Sequence, residues 1–254
     1  MKNNFNETVE NIILAFKENN ISLNRLQAEF ICERSSDWSS VSIDDTKDWF
    51  IAEQDSCSMG LEKINLNDCK NWSFDESKGV IKHSSDDFFE VIGVRVFSTK
   101  SREVTNGWDQ PFLKQKGLDG GILGLLRYKI DNIPYYLVEA KAEPGNPDLV
   151  QISPTLQATF ANLRQSHGGK KPKFSEYFEE ENIPGTKIIF KQWLSEDGGR
   201  LYKKRNLGVL AEIDDISQLN ISKSFRWVTL FQLCQLIKQN SWVNPHIRSI
   251  ISSL

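Results

Sequence analysis

The chain has 254 residues, 39% of them hydrophobic and 26% charged, a balance typical of a globular protein able to bury a sizeable core. A net charge of −3 excludes general nucleic-acid binding through a basic surface and leaves room only for local basic clusters that hold a small anion. No apolar run reaches the roughly eighteen residues that a membrane-spanning helix needs, so no membrane association is expected.

The opening residues, MKNNFNETVENIILAF, lack the basic and then apolar layout of a signal peptide, and a cytoplasmic location is expected. Val9, Ile12, Ile13 and Phe16 recur at helical spacing over 5–19. The polar, Ser/Asp-rich stretch at 35–48 reads as loop. Residues 61–66 and 70–83 read as short strands with a turn near 76–79, and FFEVIGVRVFS at 88–98 as a further strand. This divides the chain into an N-terminal helical segment and loop, 1–60, and one module, 61–254.

The clearest hairpin spans 121–143. GILGLLRYKI runs into Asp131 and Asn132, and IPYYLVEAKAE runs out. ISPTLQATFANLRQ then reads as a helix over 154–165, with Ser153 as N-cap, Pro154 in the first turn and Leu156, Phe160 and Leu163 on one stripe. Residues 186–194 and 206–213 read as strands, 227–240 as an amphipathic helix, and a last short helix starts near Pro245. The sum is an α+β fold with a mixed or antiparallel sheet and the 154–165 helix on one face.

Cys32, Cys57, Cys69 and Cys234 are scattered without a CxxC pair, so free thiols in a reducing compartment are expected. His83, His167 and His246 show no metal-ligand spacing, and no metal is expected.

The segment EAKAEPGN at 139–146 is unusual. On a strand it sets Val138, Ala140 and Ala142 on one face and Glu139, Lys141 and Glu143 on the other. The charged face is either a solvated surface of ion pairs, each worth about 0–1 kcal/mol, or an acid–base face. A helix beginning at Ser153 would favour the second reading, because its free N–H groups suit a phosphate.

EAKAEPGNPDLVQISPTLQAT at 139–159 resembles the signature of the NDP-hexose 2,3-dehydratase family, whose usual form is close to QAK-EPGN-QLSPT-QAT. Similar blocks are GVRVFSTKSREVTNGWDQP (93–111), GILGLL (121–126), SEDGGRLYKKRN (195–206) and RWVTLFQLCQLIKQNSWVNPHIRSI (226–250), so the resemblance covers roughly 88–254. Position 139 is Glu where the family has Gln. The resemblance implies a Nudix-like module over 61–254. The Nudix box is absent, and pyrophosphate hydrolysis at a Nudix metal site is not expected. Family members carry two tandem modules and this chain holds one copy, which implies a homodimer.

The implied substrate is a dTDP-linked 4-keto-6-deoxy sugar. Its C4 ketone acidifies the C3 proton, the C2 hydroxyl leaves as water, and the enol becomes a 3,4-diketo-2,6-dideoxy sugar for a downstream 3-ketoreductase. The ketone is already present, so no redox cofactor is needed. The site requires a base, an enolate-stabilising group and an acid. Glu143 is the expected base or acid, Lys141 the enolate or phosphate partner, Gln157 a donor to a sugar oxygen and Tyr202 a proton donor, while Glu139 ranks lower. Arg95, Arg200, Lys203 and Arg205 are candidates for the diphosphate. Trp108 and Gln110 are candidates for the nucleobase. Asn146 and Ser153 stand at the turn and cap beside the substrate. Trp227, Leu230, Leu233 and Ile237 read as core or dimer interface. Two other functions fit the same residues: a sugar-nucleotide-binding module without activity, and a sugar-nucleotide isomerase.

Overall fold

In the computed structural model, residues 4–86, 88–97, 103–115, 120–165, 170–179 and 183–254 are described, and His167 and residue 98 lie outside them. Three helices, α1 (Phe5–Glu18), α2 (Arg25–Ser35) and α3 (Ile43–Asp55), precede strands β1 (Trp72–Asp75), β2 (Val80–His83), β3 (Phe89–Val96) and β4 (Trp108–Gln115). Next come β5 (Gly121–Ile130), β6 (Ile133–Ala142), β7 (Val150–Pro154), β8 (Leu156–Thr159), α4 (Phe160–Leu163) and α5 (Glu176–Glu179). The chain continues through β9 (Thr186–Ser195), β10 (Arg205–Ile213), β11 (Phe225–Val228), α6 (Leu230–Leu236) and α7 (Pro245–Ile251).

β1 to β4 form one antiparallel sheet in chain order. The second sheet runs β11-β6-β5-β10-β9, with β7 paired to β6 and β8 to β5. β10 lies parallel to β5 and the other pairs are antiparallel, so the fold is α+β with a mixed sheet, as expected. Asp131 and Asn132, with φ of 51° and 66°, turn β5 into β6. Two successive positive φ angles match the twist of a hairpin, and short polar side chains tolerate them best.

The apolar residues of β5 serve both faces of the sheet. Leu123 and Leu125 join a core with Phe50 of α3, Leu233 of α6 and Ile247 of α7. Ile122 and Leu126 join a second core with Leu163, Phe178 and Phe225. A strand buried on both faces loses its alternating pattern and becomes continuously apolar, as GILGLL is. Gly124 has its place because a Cβ there would fall 2.6 Å from the Phe178 ring. Val138, Ala140 and Ala142 face the first core, as alternation requires. α2 docks through charge. The fully buried Arg127 of β5 donates to Glu29 (2.8 Å) and Glu33 (2.7 Å), and pairs with Glu212.

Several expectations need correction. The 154–165 helix is instead strand at Pro154 and over Leu156–Thr159, and only Phe160–Leu163 is helical, capped by Thr159. The reason lies in β5 and β6. They pair from Ile130↔Ile133 to Leu126↔Leu137, and then separate. β7 runs into that fork along β6, and β8 returns along β5. The open edges of the two strands offer a hydrogen-bonding ladder that a helix would leave unpaired. Thr155 stands at the apex, its hydroxyl donating to Leu137 O and accepting from Leu126 N at 2.9 Å. One side chain thus replaces the ladder bonds lost where the strands part. Pro154 ends β7, where a missing N–H is tolerated.

The 35–48 loop ends at Ser42, which forms a capping box with Asp45 and starts α3. Residues 61–65 are irregular, and 66–68 form a 3-10 turn. α2 and β4 are additional elements. Trp227 belongs to β11, and the helix that follows starts only after the Thr229 cap.

Candidate active site

β6 carries Glu139 and Lys141 on one face, and β7 sets Ser153 and Gln151 directly opposite them. A cavity of about 210 Å³ opens in the fork, walled by Glu139, Lys141, Thr155 and Gln157 and completed by Lys173 and Phe225. The Lys141 ammonium donates across the fork to the main-chain oxygen of Gln157 at 3.3 Å.

Gln157 connects the arms of the fork. Its Nε2 donates to both Glu143 carboxylate oxygens, at 2.9 and 3.2 Å. Its Oε1 accepts from Asn244 Nδ2 at 3.1 Å. Asn244 also donates to Ser153 Oγ at 2.8 Å, and its Oδ1 accepts from Ile247 N at 3.0 Å, capping α7. Asn244 is only 4% exposed, and these bonds fix which end of each amide is which. The order Ile247, Asn244, Gln157, Glu143 is a directed relay that ends with the Gln157 amide donating to the Glu143 carboxyl group.

Glu139 differs. Burial pushes its carboxyl above the usual carboxylate range, Lys141 and Lys173 pull it back, and Glu143 adds to the rise. Two carboxylates in unlike surroundings beside one ammonium can divide an acid role from a base role.

The 143–149 turn aims Glu143. Its N–H donates to Leu149 O at 2.9 Å, and Asn146 closes the loop from both its backbone N–H (to Glu143 O, 3.1 Å) and its side chain (to Leu149 O, 2.9 Å). Ser153 and Gln157 are strand residues, so the anion-binding helix end expected at Ser153 does not exist.

The structure therefore brings together Lys141, Glu143, Ser153 and Gln157, with Asn146 in the adjoining turn. The other expected residues gather elsewhere. Arg95 on β3 makes a two-pronged pair with Asp109 at 2.9 and 2.8 Å. Trp108 Nε1 donates to Gln110 Oε1 at 2.5 Å, and Gln110 Nε2 donates to Gly199 O at 2.7 Å. Arg200 pairs with Asp197. The Tyr202 ring meets Phe112 edge-on at 6.3 Å, with the Lys203 ammonium 5.3 Å from its centre. Arg205 stacks over Trp193 at 4.3 Å. Asn244, Thr155 and Lys173 are additions that the sequence reading did not single out. Asn244-Pro245 carries a cap signal, yet nothing in its spacing reveals a reach to Gln157.

A family model described as NDP-hexose 2,3-dehydratase matches residues 43–254. The dTDP-4-dehydro-6-deoxy-alpha-D-glucopyranose 2,3-dehydratase of Amycolatopsis orientalis is 32% identical over 215 residues, 83% of this chain and 44% of the relative. The enzyme of the same description from Saccharopolyspora spinosa is 31% identical over 206 residues, 81% and 41% of the two chains. The chain thus spans under half the length of these relatives. Among solved structures, a Nudix hydrolase from M. smegmatis, RenU, overlaps 63% of this chain and 97% of its own at 13% identity, with a TM-score of 0.34. A C. elegans Ap4A hydrolase binary complex overlaps 52% and 92% at 14% identity, with a TM-score of 0.32. The family match takes in the fork, its cavity and Asn244 alike: the chain belongs to the NDP-hexose 2,3-dehydratase family.

Proposed function

We propose that this protein dehydrates a nucleotide-linked 4-keto-6-deoxyhexose, the dTDP-glucose derivative for which its relatives are named, across C2 and C3. The observation that carries this reading is one cavity lined by Glu139, Lys141 and Gln157, with the Glu143 carboxylate held beside it by the Gln157 amide. Glu143 takes the C3 proton, which the neighbouring C4 ketone has acidified. The Lys141 ammonium stabilises the enolate oxygen that forms. Glu139, whose raised carboxyl retains a proton more readily, donates it to the C2 hydroxyl, which leaves as water. The enol product then tautomerises to the 3,4-diketo-2,6-dideoxy sugar. One proton enters the base and one leaves the acid, so only water is lost.

The test is to give the purified protein dTDP-4-keto-6-deoxyglucose, a 3-ketoreductase and NADPH, and to weigh the sugar nucleotide. A reduced product short of one water supports dehydration. An isomer of unchanged mass would point to isomerisation, and binding without turnover to a module without activity.

The same reading includes a homodimer, a cytoplasmic location and a 3-ketoreductase that consumes the reactive diketone. Exposed Leu61, Leu66, Phe74 and Phe97 support a second protein surface, and four free cysteines suit a reducing compartment. Sedimentation of the purified chain tests the dimer.

A further inference from the structure

A second cavity, of about 230 Å³, lies where the four-stranded sheet meets β8. Phe88, Phe89 and Leu113 supply its apolar wall, and Thr159, Asn162 and Lys204 its polar one. Thr159 is two residues beyond Gln157, which lines the fork cavity. Alternate residues of a strand share a face, with Cα atoms about 7 Å apart. The two cavities therefore border neighbouring positions of one strand.

The wall has the chemistry of an aromatic ligand. Phe88 and Phe89 are 39% and 44% exposed, although both are large and apolar. Neighbouring rings hold them: Trp72 lies 5.1 Å from Phe89, and His83 lies 4.6 Å from Phe88. Fixed rings with an exposed surface favour stacking by a planar heterocycle. The Asn162 side-chain amide has no hydrogen bond among the described residues and can meet the polar edge of such a ring. Lys204, beside Gln115, brings a positive charge to the same wall. Trp108 and Gln110, the residues expected at the base, are tied to each other and to Gly199, and neither lines this cavity.

We propose that this cavity seats the nucleobase of a nucleoside diphosphate, and that β8 leads the substrate from the base at Thr159 to the hexose at Gln157. This rests on the reading of the protein as a nucleotide-sugar enzyme. Lys204 then faces the diphosphate.

The test uses two variants outside the acid–base cluster. Ala161→Trp fills the cavity from α4, and Phe89→Ala removes a stacking face. Binding of dTDP is measured by calorimetry, and turnover by the coupled assay. Wild type is expected to bind dTDP, and each variant to weaken it by about tenfold or more. The loss in turnover should fall on KM rather than on kcat. Variants that bind dTDP as wild type does, in a protein that dehydrates its substrate, would overturn the subsite and leave the enzyme reading intact. A loss confined to kcat would overturn it as well. Wild-type protein that binds none of dTDP, UDP, GDP or ADP and turns nothing over would overturn both.

Discussion

Gln157 gives its two amide ends to different partners: Nε2 to the Glu143 carboxylate at 2.9 Å, and Oε1 to Asn244 at 3.1 Å. The donor on its oxygen favours the amide orientation that points the N–H at Glu143. Asn244 is therefore a positioning residue for the proposed base. Asn244→Asp keeps an α7 cap, because aspartate caps as well as asparagine, but replaces the donor with an acceptor. We expect kcat of the folded variant to fall by about 10²-fold with KM nearly unchanged, and the melting temperature to drop as well, because the buried amide donor gives way to a carboxylate oxygen facing Gln157 Oε1. Steady-state kinetics beside a thermal melt would check this. An unchanged kcat in the variant while it remains folded would mean that Asn244 only holds α7.

Glu139 should reveal itself through pH. Its carboxyl is raised in the folded state, chiefly by burial, so folding favours its protonated form. The corresponding stability is fully present below the ordinary glutamate range, and is lost as pH rises through the raised folded value. Glu139→Gln removes that penalty. The variant should melt higher than wild type at about pH 8, with the gap closing toward about pH 4. If Glu139 is also the acid, the same change flattens the fall in kcat at high pH. An unaltered pH profile would leave it a spectator.

Thr155 holds the apex of the fork through one hydroxyl. Thr155→Val keeps the shape and strands Leu126 N–H and Leu137 C=O in the core. Each buried orphan costs about 1–3 kcal/mol, and urea titration should show a loss in that range or above. A loss under about 0.5 kcal/mol would show that the fork closes without it.

The legible parts of the fold were those written in local chemistry. Asp131 and Asn132 tolerate positive φ, and Asn244-Pro245 starts a helix, so the hairpin and α7 could be read directly. The 150–159 segment could not. Ser-Pro followed by Leu156, Phe160 and Leu163 satisfies helix-start rules, while Leu156 and Ala158 equally satisfy strand alternation. The choice was made by the open edges of β6, which the 143–149 turn brings back alongside, and of β5, which lies upstream of the whole hairpin. The site divided in the same way. Lys141 and Glu143 were visible as unusual charges on an otherwise apolar strand pattern, while Gln157 was expected on a helix and for the reaction that the family resemblance implies. Asn244 joins them from 87 residues away, and only the tertiary fold reveals that contact. Arg95 and Arg200 were chosen for a charged fork that matches a diphosphate, and each is engaged by a neighbouring aspartate.

The most direct measurement compares wild type with Glu143→Gln, following both binding and turnover of dTDP-4-keto-6-deoxyglucose. Glutamine can still meet Gln157, so the fork should stay closed while the base is lost. The account predicts substrate affinity near that of wild type, with water loss slowed by about 10²-fold or more. A variant that dehydrates the sugar at the wild-type rate would contradict it, and would remove Glu143 from the chemistry.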